Sequence, residues 1–596
     1  MLPATVEQPS SGTQELSASF AVGPHGNFAG SQACQKCHQG EYGAWHASYH
    51  RTMTQFATPE AVAAPLDGTK LESRGRTYQF ERRGERFFVT MAEPEWEMER
   101  QQSGVDLELI ADPPLTTREI VILTGSHQMQ TFWIRAEDGF RQVPWYWHIA
   151  EQAWIPAEDS FLQPPSNKRA FTRWNDVCIK CHTSGEIPGL HPTTGFDTKV
   201  ADLGIACEAC HGQGQRHIAF HEQRSSTDPR ELASANRLQP DDTISNPAAL
   251  PHTLSSQICG QCHSSARIRD LAGWSAEGAK FQPGDKLTEH FHVAQFGKPV
   301  PRDADYLRND YWADGTCRTA GDEYQGLLES ACHLRGELSC LSCHSMHQYA
   351  DRSDQLARGM EGNGACLQCH AEYESKLTEH THHSAGSSGS LCYNCHMPHI
   401  TYGLLKGIRS HRIDSPSAEV TAKTGRPNAC NLCHLDQTLG WTADHLSQWY
   451  DQPPVELADD DRQIAASVRW LLAGDATQRV IAAWHMGWPE ARAASGSDWQ
   501  AAVLAFALDD PYSVIRYVGQ RSLKSAPGFA QFKYDFIGPP ANRKAAVQEA
   551  LTRWRESSAA LPRRPAVLLG ADGQLLESEV QRLRQNRDDR PITIHE

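Results

Sequence analysis

The chain has little with which to build an ordinary core or to enter a membrane. Only 39% of its 596 residues are apolar. No run of about eighteen apolar residues exists, so no transmembrane helix is expected. Basic residues are in the minority: 56 Lys and Arg against 72 Asp and Glu give a net charge of -16. That balance opposes binding to nucleic acid or to an anionic membrane. It suits docking to basic redox partner proteins by electrostatic steering, and equally a solvated acidic surface with no partner. Met1 to Gly30 lacks a basic segment followed by an apolar one, so a secretory signal is not expected within this numbering. After His434 there is no cysteine at all. Methionine is scarce, with nine residues, none in a privileged setting.

Cysteine and histidine are where the sequence is rich. Sixteen of the eighteen cysteines fall in eight copies of Cys-x-x-Cys-His. In chain order these are Cys34-Cys37-His38 (unit 1), Cys178-Cys181-His182 (unit 2), Cys207-Cys210-His211 (unit 3) and Cys259-Cys262-His263 (unit 4). Cys340-Cys343-His344 (unit 5), Cys366-Cys369-His370 (unit 6), Cys392-Cys395-His396 (unit 7) and Cys430-Cys433-His434 (unit 8) follow. That five-residue unit is the attachment site of a c-type haem. Its thiols bond to the porphyrin and its His is the proximal iron ligand. Zinc ribbons also use paired cysteines. Here, however, a His follows every pair, and the pairs do not recur in twos at zinc-ribbon spacing. The expectation is eight covalently bound haem c. Porphyrin then supplies apolar area that the side chains lack, so haem removal is expected to unfold 30–434.

Cys317 and Cys332 stand outside the units. A disulfide, two separate buried thiols, or a ninth haem on a stretched site ending in His333 are the readings open to them. Haem is attached to such units outside the cytoplasm. A periplasmic or extracellular location is therefore expected, with the signal absent from this numbering and a lost lipid anchor left open.

The fold class expected is mainly α with long loops: a multihaem core, a small β-rich insertion and a C-terminal α-helical, repeat-like domain. Residues 1–29, rich in Ser, Gly, Pro and Thr, read as a mobile tail, and 30–59 as the first haem segment. Within a β-rich insertion over 60–165, Tyr78–Phe80 and Phe87–Val89 flank Arg83-Gly84 as a hairpin. Ile120–Leu123 and Gln130–Ile134 are further strands. The multihaem core is placed at 166–434, with seven units. Over 435–596 the period turns helical: Ile464, Val468, Leu471 and Leu472 share one face, and Val514, Ile515, Val518 and Leu523 another. Pro511 is expected in the first turn of a helix. Antiparallel helix pairs and a plain bundle both fit. Arg563-Arg564 and the Arg582–Arg590 region read as solvated surface.

Each iron has a second axial place. Of 29 His, eight are proximal, which leaves a surplus and makes bis-His ligation the default. Position ranks the distal candidates: His50 after the first unit; His127 inside the β insertion; His217 beyond Gly212 and Gly214; His347, which follows His344 too closely to serve the same iron; His380 and His383 before unit 7; and His411 between units 7 and 8. For each, a surface or hydrogen-bonded His is the plain alternative. His25, His445, His485 and His595 read as ordinary residues.

The text over about 30–450 resembles bacterial exported octahaem multihaem c-type cytochromes with a helical-repeat tail, related to the nitrifier tetrahaem cytochrome c and decahaem families. Trp45-x-x-Ser48-x-His50, Thr124-Gly125-Ser126-His127, Cys207-Glu208-Ala209-Cys210-His211-Gly212-x-Gly214-x-x-His217 and Glu323-Tyr324 ahead of Ser330-x-Cys332 carry the likeness. So do Cys340-Leu341-Ser342-Cys343-His344-x-x-His347, His380-x-x-His383, Cys395-His396-Met397-Pro398 and Pro427-Asn428-Ala429-Cys430. The resemblance implies that the spare His in these motifs are distal ligands. His399 and Cys317 depart from the pattern and receive no role. An electron-carrying chain of closely packed haems is implied, with no catalytic residue. An octahaem reductase or dehydrogenase of nitrogen or sulfur compounds, with one open haem, is the rival. Enzymes of that type often mark the catalytic haem with a proximal Lys or a Tyr cross-link, whereas all eight units here end in His. A subunit of an extracellular haem filament is a third reading, and an oligomer or membrane-associated complex is compatible with each.

Overall fold

The computed structural model describes residues 20–168, 170–191, 195–225, 241–298, 309–557 and 563–594, with side chains left out for 223–225. Most of the expected tail, 1–19, lies outside the described residues, as does His595. The end of that tail is β1 (Phe20–Val22), which pairs in parallel with Thr198–Val200.

The largest element is a sheet. Seven strands follow one another in sequence: β3 (Lys70–Ser73), β4 (Arg76–Arg83), β5 (Arg86–Ala92), β6 (Leu115–Thr124), β7 (Met129–Ala136), β8 (Gly139–His148) and β9 (Ala153–Pro156). An eighth, β2 (Thr54–Phe56), adds to β6 beyond the end of β5. All neighbours are antiparallel. The expected hairpin is β4–β5, with Phe80 opposite Val89. Alternation along β4 buries Arg76, Tyr78 and Phe80 and exposes Thr77 and Gln79, the period of a strand with one covered face. The sheet curls on itself: Tyr78 of β4 meets Trp145 of β8 edge-on at 5.9 Å, and Phe80 stacks on Trp154 of β9 at 5.2 Å.

This corrects the fold class. Helix makes up 39% of the chain and strand 18%, with a nearly closed, barrel-like sheet, so the protein is not mainly α. Long aromatic strands such as β8, with Val143, Trp145 and Trp147 facing inward, gain more by closing around a shared core than a small insertion of loose hairpins would. A bulge between Ile120 and Ile122 lets β6 serve both faces. Ile120 and Leu123 join the barrel interior, while Val121 and Ile122 join Trp133, Trp174, Ile179 and Trp274 outside it. Ile179 lies inside unit 2, so this outer face is the seat of that unit.

Beyond the barrel the chain forms short helices and loops up to unit 8. From there helices dominate, including Leu439–Tyr450, Ala466–Ala473, Ala476–His485, Ser513–Lys524, Pro540–Ser557 and Glu577–Gln585. Val468, Val514, Ile515, Val518 and Leu523 are fully buried, with Ile464, Leu471 and Leu472 nearly so. The helix at 513 starts after Tyr512, two residues later than Pro511 suggested. Asp510 instead accepts a two-toothed contact from the buried Arg479. Asp475 and Gln478 close a capping box on Ala476–His485, and Asp475 also meets Arg318 at 2.9 Å, with both side chains buried. Arg582, expected at a solvated surface, bridges Asp460. Tyr517 and Arg521 hold Glu151 at the barrel's rim. The same apolar cluster takes in Leu432 and Leu435 beside unit 8 and Met129, Ile155 and Leu162 near the barrel.

Candidate haem sites and their histidine pairs

Each attachment unit is one helical turn. In six units the backbone N–H of the histidine donates to the carbonyl of the first cysteine, four residues back; for example His38 reaches Cys34 at 3.0 Å, His263 reaches Cys259 at 2.9 Å and His434 reaches Cys430 at 2.8 Å. That turn puts both thiols and the imidazole on one side, since residues three and four apart share a helix face. Burial pushes the Cys178 and Cys430 thiols up to about 12 and Cys210 to about 11. They are therefore neutral before any haem is attached.

The units touch one another. Thiols lie against one another between units 1 and 3 (Cys34, Cys207), 2 and 4 (Cys181, Cys262), 4 and 5 (Cys259, Cys340), and 6 and 7 (Cys366, Cys392). Cys210 lies near Cys259, Cys343 near Cys369 and Cys366, and Cys395 near Cys430 and Cys433. The order in space is thus 1–3–4–5–6–7–8, with unit 2 branching from unit 4.

Six proximal histidines face a second histidine. Ring centroids are 6.2 Å apart for His38 and His217, 6.3 Å for His263 and His50, and 6.2 Å for His211 and His347. They are 6.4 Å apart for His344 and His411, 6.2 Å for His396 and His380, and 5.9 Å for His434 and His383. Two imidazoles sharing one metal at about 2 Å per bond, plus about 1 Å from nitrogen to ring centre on each side, give about 6 Å. The donor set therefore fits an iron between each pair. Between Leu327 and Ile400 the only buried apolar side chains are Ala365 and Pro398. A segment holding three units has almost no side-chain core of its own, as a haem-filled region requires. Desolvation lowers His50 and His182 to about 4, so both imidazoles are neutral near pH 7, the form that binds metal.

His127 is the sequence candidate that meets no proximal histidine. It stacks on Tyr49 at 4.3 Å with the rings 10° apart. His182 and His370 face no other histidine among the described residues. The Nδ1 of His182 is buried without a partner, while His370 is exposed beside Tyr373.

Second contacts orient several rings. Nδ1 of His211, His344 and His396 lies at 2.8, 3.0 and 2.9 Å from the carbonyls of Ser245, Asp354 and Asp414. His263 instead meets the Glu323 carboxylate at 3.2 Å. Desolvation opposes the charge on Glu323, but the bond to His263 outweighs it, and the carboxyl is held down to about 2. His217 Nδ1 lies 2.6 Å from Asp241, which His221 also reaches at 3.0 Å. Among the described residues these three form the one group of such side chains close enough to hold a further ion. Spacing gave no sign of Asp241. Glu323 carried a signal only as part of the Glu323-Tyr324 motif.

Cys317 and Cys332 are free thiols rather than a disulfide. Cys317 Sγ points to the Asp322 carbonyl at 3.7 Å, while Cys332 lies near Cys343. His333 is buried and bonded through Nδ1 to the Leu338 carbonyl at 2.7 Å. Of the histidines read as ordinary, His25 contacts the Gly23 carbonyl, His445 packs between Trp441 and Trp449, and His485 is buried. His399 packs against Trp484 and Trp488.

Residues 157–212, which hold units 2 and 3, match the family model described as cytochrome c554 and c-prime. No curated protein matches the chain. Among solved structures, the outer cell wall cytochrome OcwA is similar with a TM-score of 0.47 and 16% identity, over 84% of this chain and 100% of that one. No helix among the described residues is long and apolar enough to cross a membrane. The attachment units and the family match together support a multihaem c-type cytochrome with covalently bound haem c.

Proposed function

We propose that the chain is an exported octahaem c-type cytochrome that carries electrons along closely packed, mostly bis-histidine haems. The observation that carries this reading is the set of six histidine pairs at 5.9 to 6.4 Å, each joining a proximal histidine to one from another stretch of chain. Bound haem supplies the one-electron iron chemistry. The chain supplies spacing, axial imidazoles and a shield against water. Ligands are exchanged between units: His50, just after unit 1, faces unit 4; His217, just after unit 3, faces unit 1; and His347, just after unit 5, faces unit 3. That interleaving fixes neighbouring units to one another, so the distances for electron hopping are set by the fold. The acidic surface favours basic redox partners, with exchange rates that fall as salt rises.

His182 and His370 favour a second reading. An iron held by one imidazole is open to a small ligand, so reductase or dehydrogenase chemistry on a nitrogen or sulfur compound belongs at unit 2 or unit 6. Spin counting by electron paramagnetic resonance on the oxidised protein, with carbon monoxide titration of the reduced protein, tests both. Six low-spin irons and no more than two that bind carbon monoxide are expected. Three or more binding sites would overturn the pairing. Reoxidation by nitrite, hydroxylamine, tetrathionate or sulfite at about 1 per second or faster would replace the carrier reading with the enzymatic one.

A further inference from the structure

Unit 4 is the fork of the chain. Its Cys262 touches unit 2, its Cys259 touches unit 5, and Cys210 of unit 3 lies near Cys259. Two features set it apart from the other five paired units. The rings of His263 and His50 cross at 78°, whereas the other pairs lie between 4° and 29° of parallel. In addition, among the described residues His263 is the proximal histidine whose ring nitrogen meets a carboxylate at hydrogen-bond distance: Glu323 Oε2 lies 3.2 Å from its Nδ1. The proximal His370 is 3.9 Å from Glu372, with both side chains exposed.

Glu323 is held for this contact. Its other oxygen accepts the Gly321 N–H at 3.1 Å. Glu323 opens the helix Glu323–Leu328, and the N–H of the next residue, Tyr324, donates to the His263 carbonyl at 3.0 Å. The Tyr324 ring lies under Gly260, where an added Cβ would meet it at 2.8 Å. The unit 4 turn and the Glu323 helix are therefore clamped together at backbone, side chain and ring.

A carboxylate on the far nitrogen of a ligating imidazole makes that imidazole a stronger electron donor. A stronger donor and a nearby negative charge both stabilise ferric iron over ferrous iron, which lowers the reduction potential. We propose that Glu323 is a positioning residue that makes unit 4 lower in potential than units 2, 3 and 5, the three it touches; unit 1, whose second ring His217 meets Asp241, lies outside that comparison. Electrons then reside on the branches, and they cross the fork between unit 2, unit 3 and unit 5 by an uphill step. This rests on the bis-histidine reading of unit 4.

Crossed imidazole planes give a low-spin signal with a large maximum g value, separate from the signals of near-parallel pairs, so unit 4 can be followed alone in a redox titration of the full holoprotein. In the wild type this signal should disappear on reduction after the near-parallel signals, with at most one of them, that of unit 1, persisting as long. In Glu323→Gln its midpoint should shift upward while the near-parallel signals stay in place, and Glu323→Asp should restore most of the shift. An unmoved midpoint in Glu323→Gln with haem content retained would overturn the inference. Should that variant lose haem, the wild-type order decides: a large-g signal that reduces before the others is equally fatal. Absence of the signal from the wild type would instead remove the crossed pair itself, and the inference with it.

Discussion

His127 and His217 both follow glycine-containing stretches and both are candidate second ligands by position alone. His217 reaches unit 1 because a helix starting at Gln215 carries it over His38, with its Nδ1 turned out to Asp241. His127 sits just ahead of β7, where Gly125 accepts a close approach from the Met129 carbonyl that a side chain would block, and its ring ends on Tyr49. Replacing His127 by Ala is expected to leave eight haems and the low-spin count unchanged. Replacing His217 by Ala should open one iron, seen as a new high-spin signal and one added carbon monoxide site. Equal spectra from the two variants would contradict the pairing geometry. At this scale much was legible: cysteine spacing marks the attachment turns directly, and six of the seven spare histidines singled out stand opposite a proximal one. What was not legible is which unit each opposes, because that depends on contacts between stretches far apart in sequence. Asp241 was hidden for the same reason, and Glu323 stood out only as part of a motif, since a carboxylate matters there only through where the fold places it.

Elements were less legible than residues. The β4–β5 hairpin could be seen because alternation and the Arg83-Gly84 turn coincide locally. Closure of the sheet could not, because it depends on β4 meeting β8 and β9 across the barrel through Tyr78, Trp145 and Trp154. The helices after unit 8 were visible in their period, but the reach of their apolar cluster to Leu432 beside unit 8 and to Met129 and Ile155 of the barrel strands was not. His485 lies within that cluster's helices. It ends the helix Ala476–His485, is 1% exposed, and bonds through Nδ1 to the Ile481 carbonyl. Desolvation lowers it to about 4; the backbone bond opposes the shift, and Arg409 adds to it. A depressed value means that the folded state favours neutral imidazole. The associated stability is full above the ordinary value of about 6.5 and is lost as pH falls through 4, on the order of 3 kcal/mol in all. Urea unfolding followed by far-ultraviolet circular dichroism should therefore show a loss between pH 7 and 4 that His485→Gln reduces. An identical pH dependence in the variant would count against a neutral buried His485.

For the molecule as a whole, the sequence is poor in apolar residues and the structure spends them unevenly. One large cluster lies among the C-terminal helices and another fills the barrel. The stretch from Leu328 to His399 carries units 5, 6 and 7 with Ala365 and Pro398 as its two buried apolar side chains. Such a stretch cannot offset the conformational entropy of ordering its backbone, about 1–2 kcal/mol per residue, with side-chain burial alone. Porphyrin area must fill the difference, at roughly 25 cal/mol per Å² of apolar surface buried. Loss of a single haem should then be felt locally. Intact mass of the wild-type protein should exceed the polypeptide by eight covalent haems, and a paired Cys366→Ala, Cys369→Ala variant should carry seven. Limited proteolysis of that variant should open new cuts between Leu328 and His399 and leave the C-terminal helices and the barrel resistant, because each has its own side-chain core. Cuts spread evenly along the chain would mean that the haems are part of a single core shared with the other two regions. An unchanged digestion pattern would mean that the middle stretch is held by its loops and hydrogen bonds without the porphyrin of unit 6.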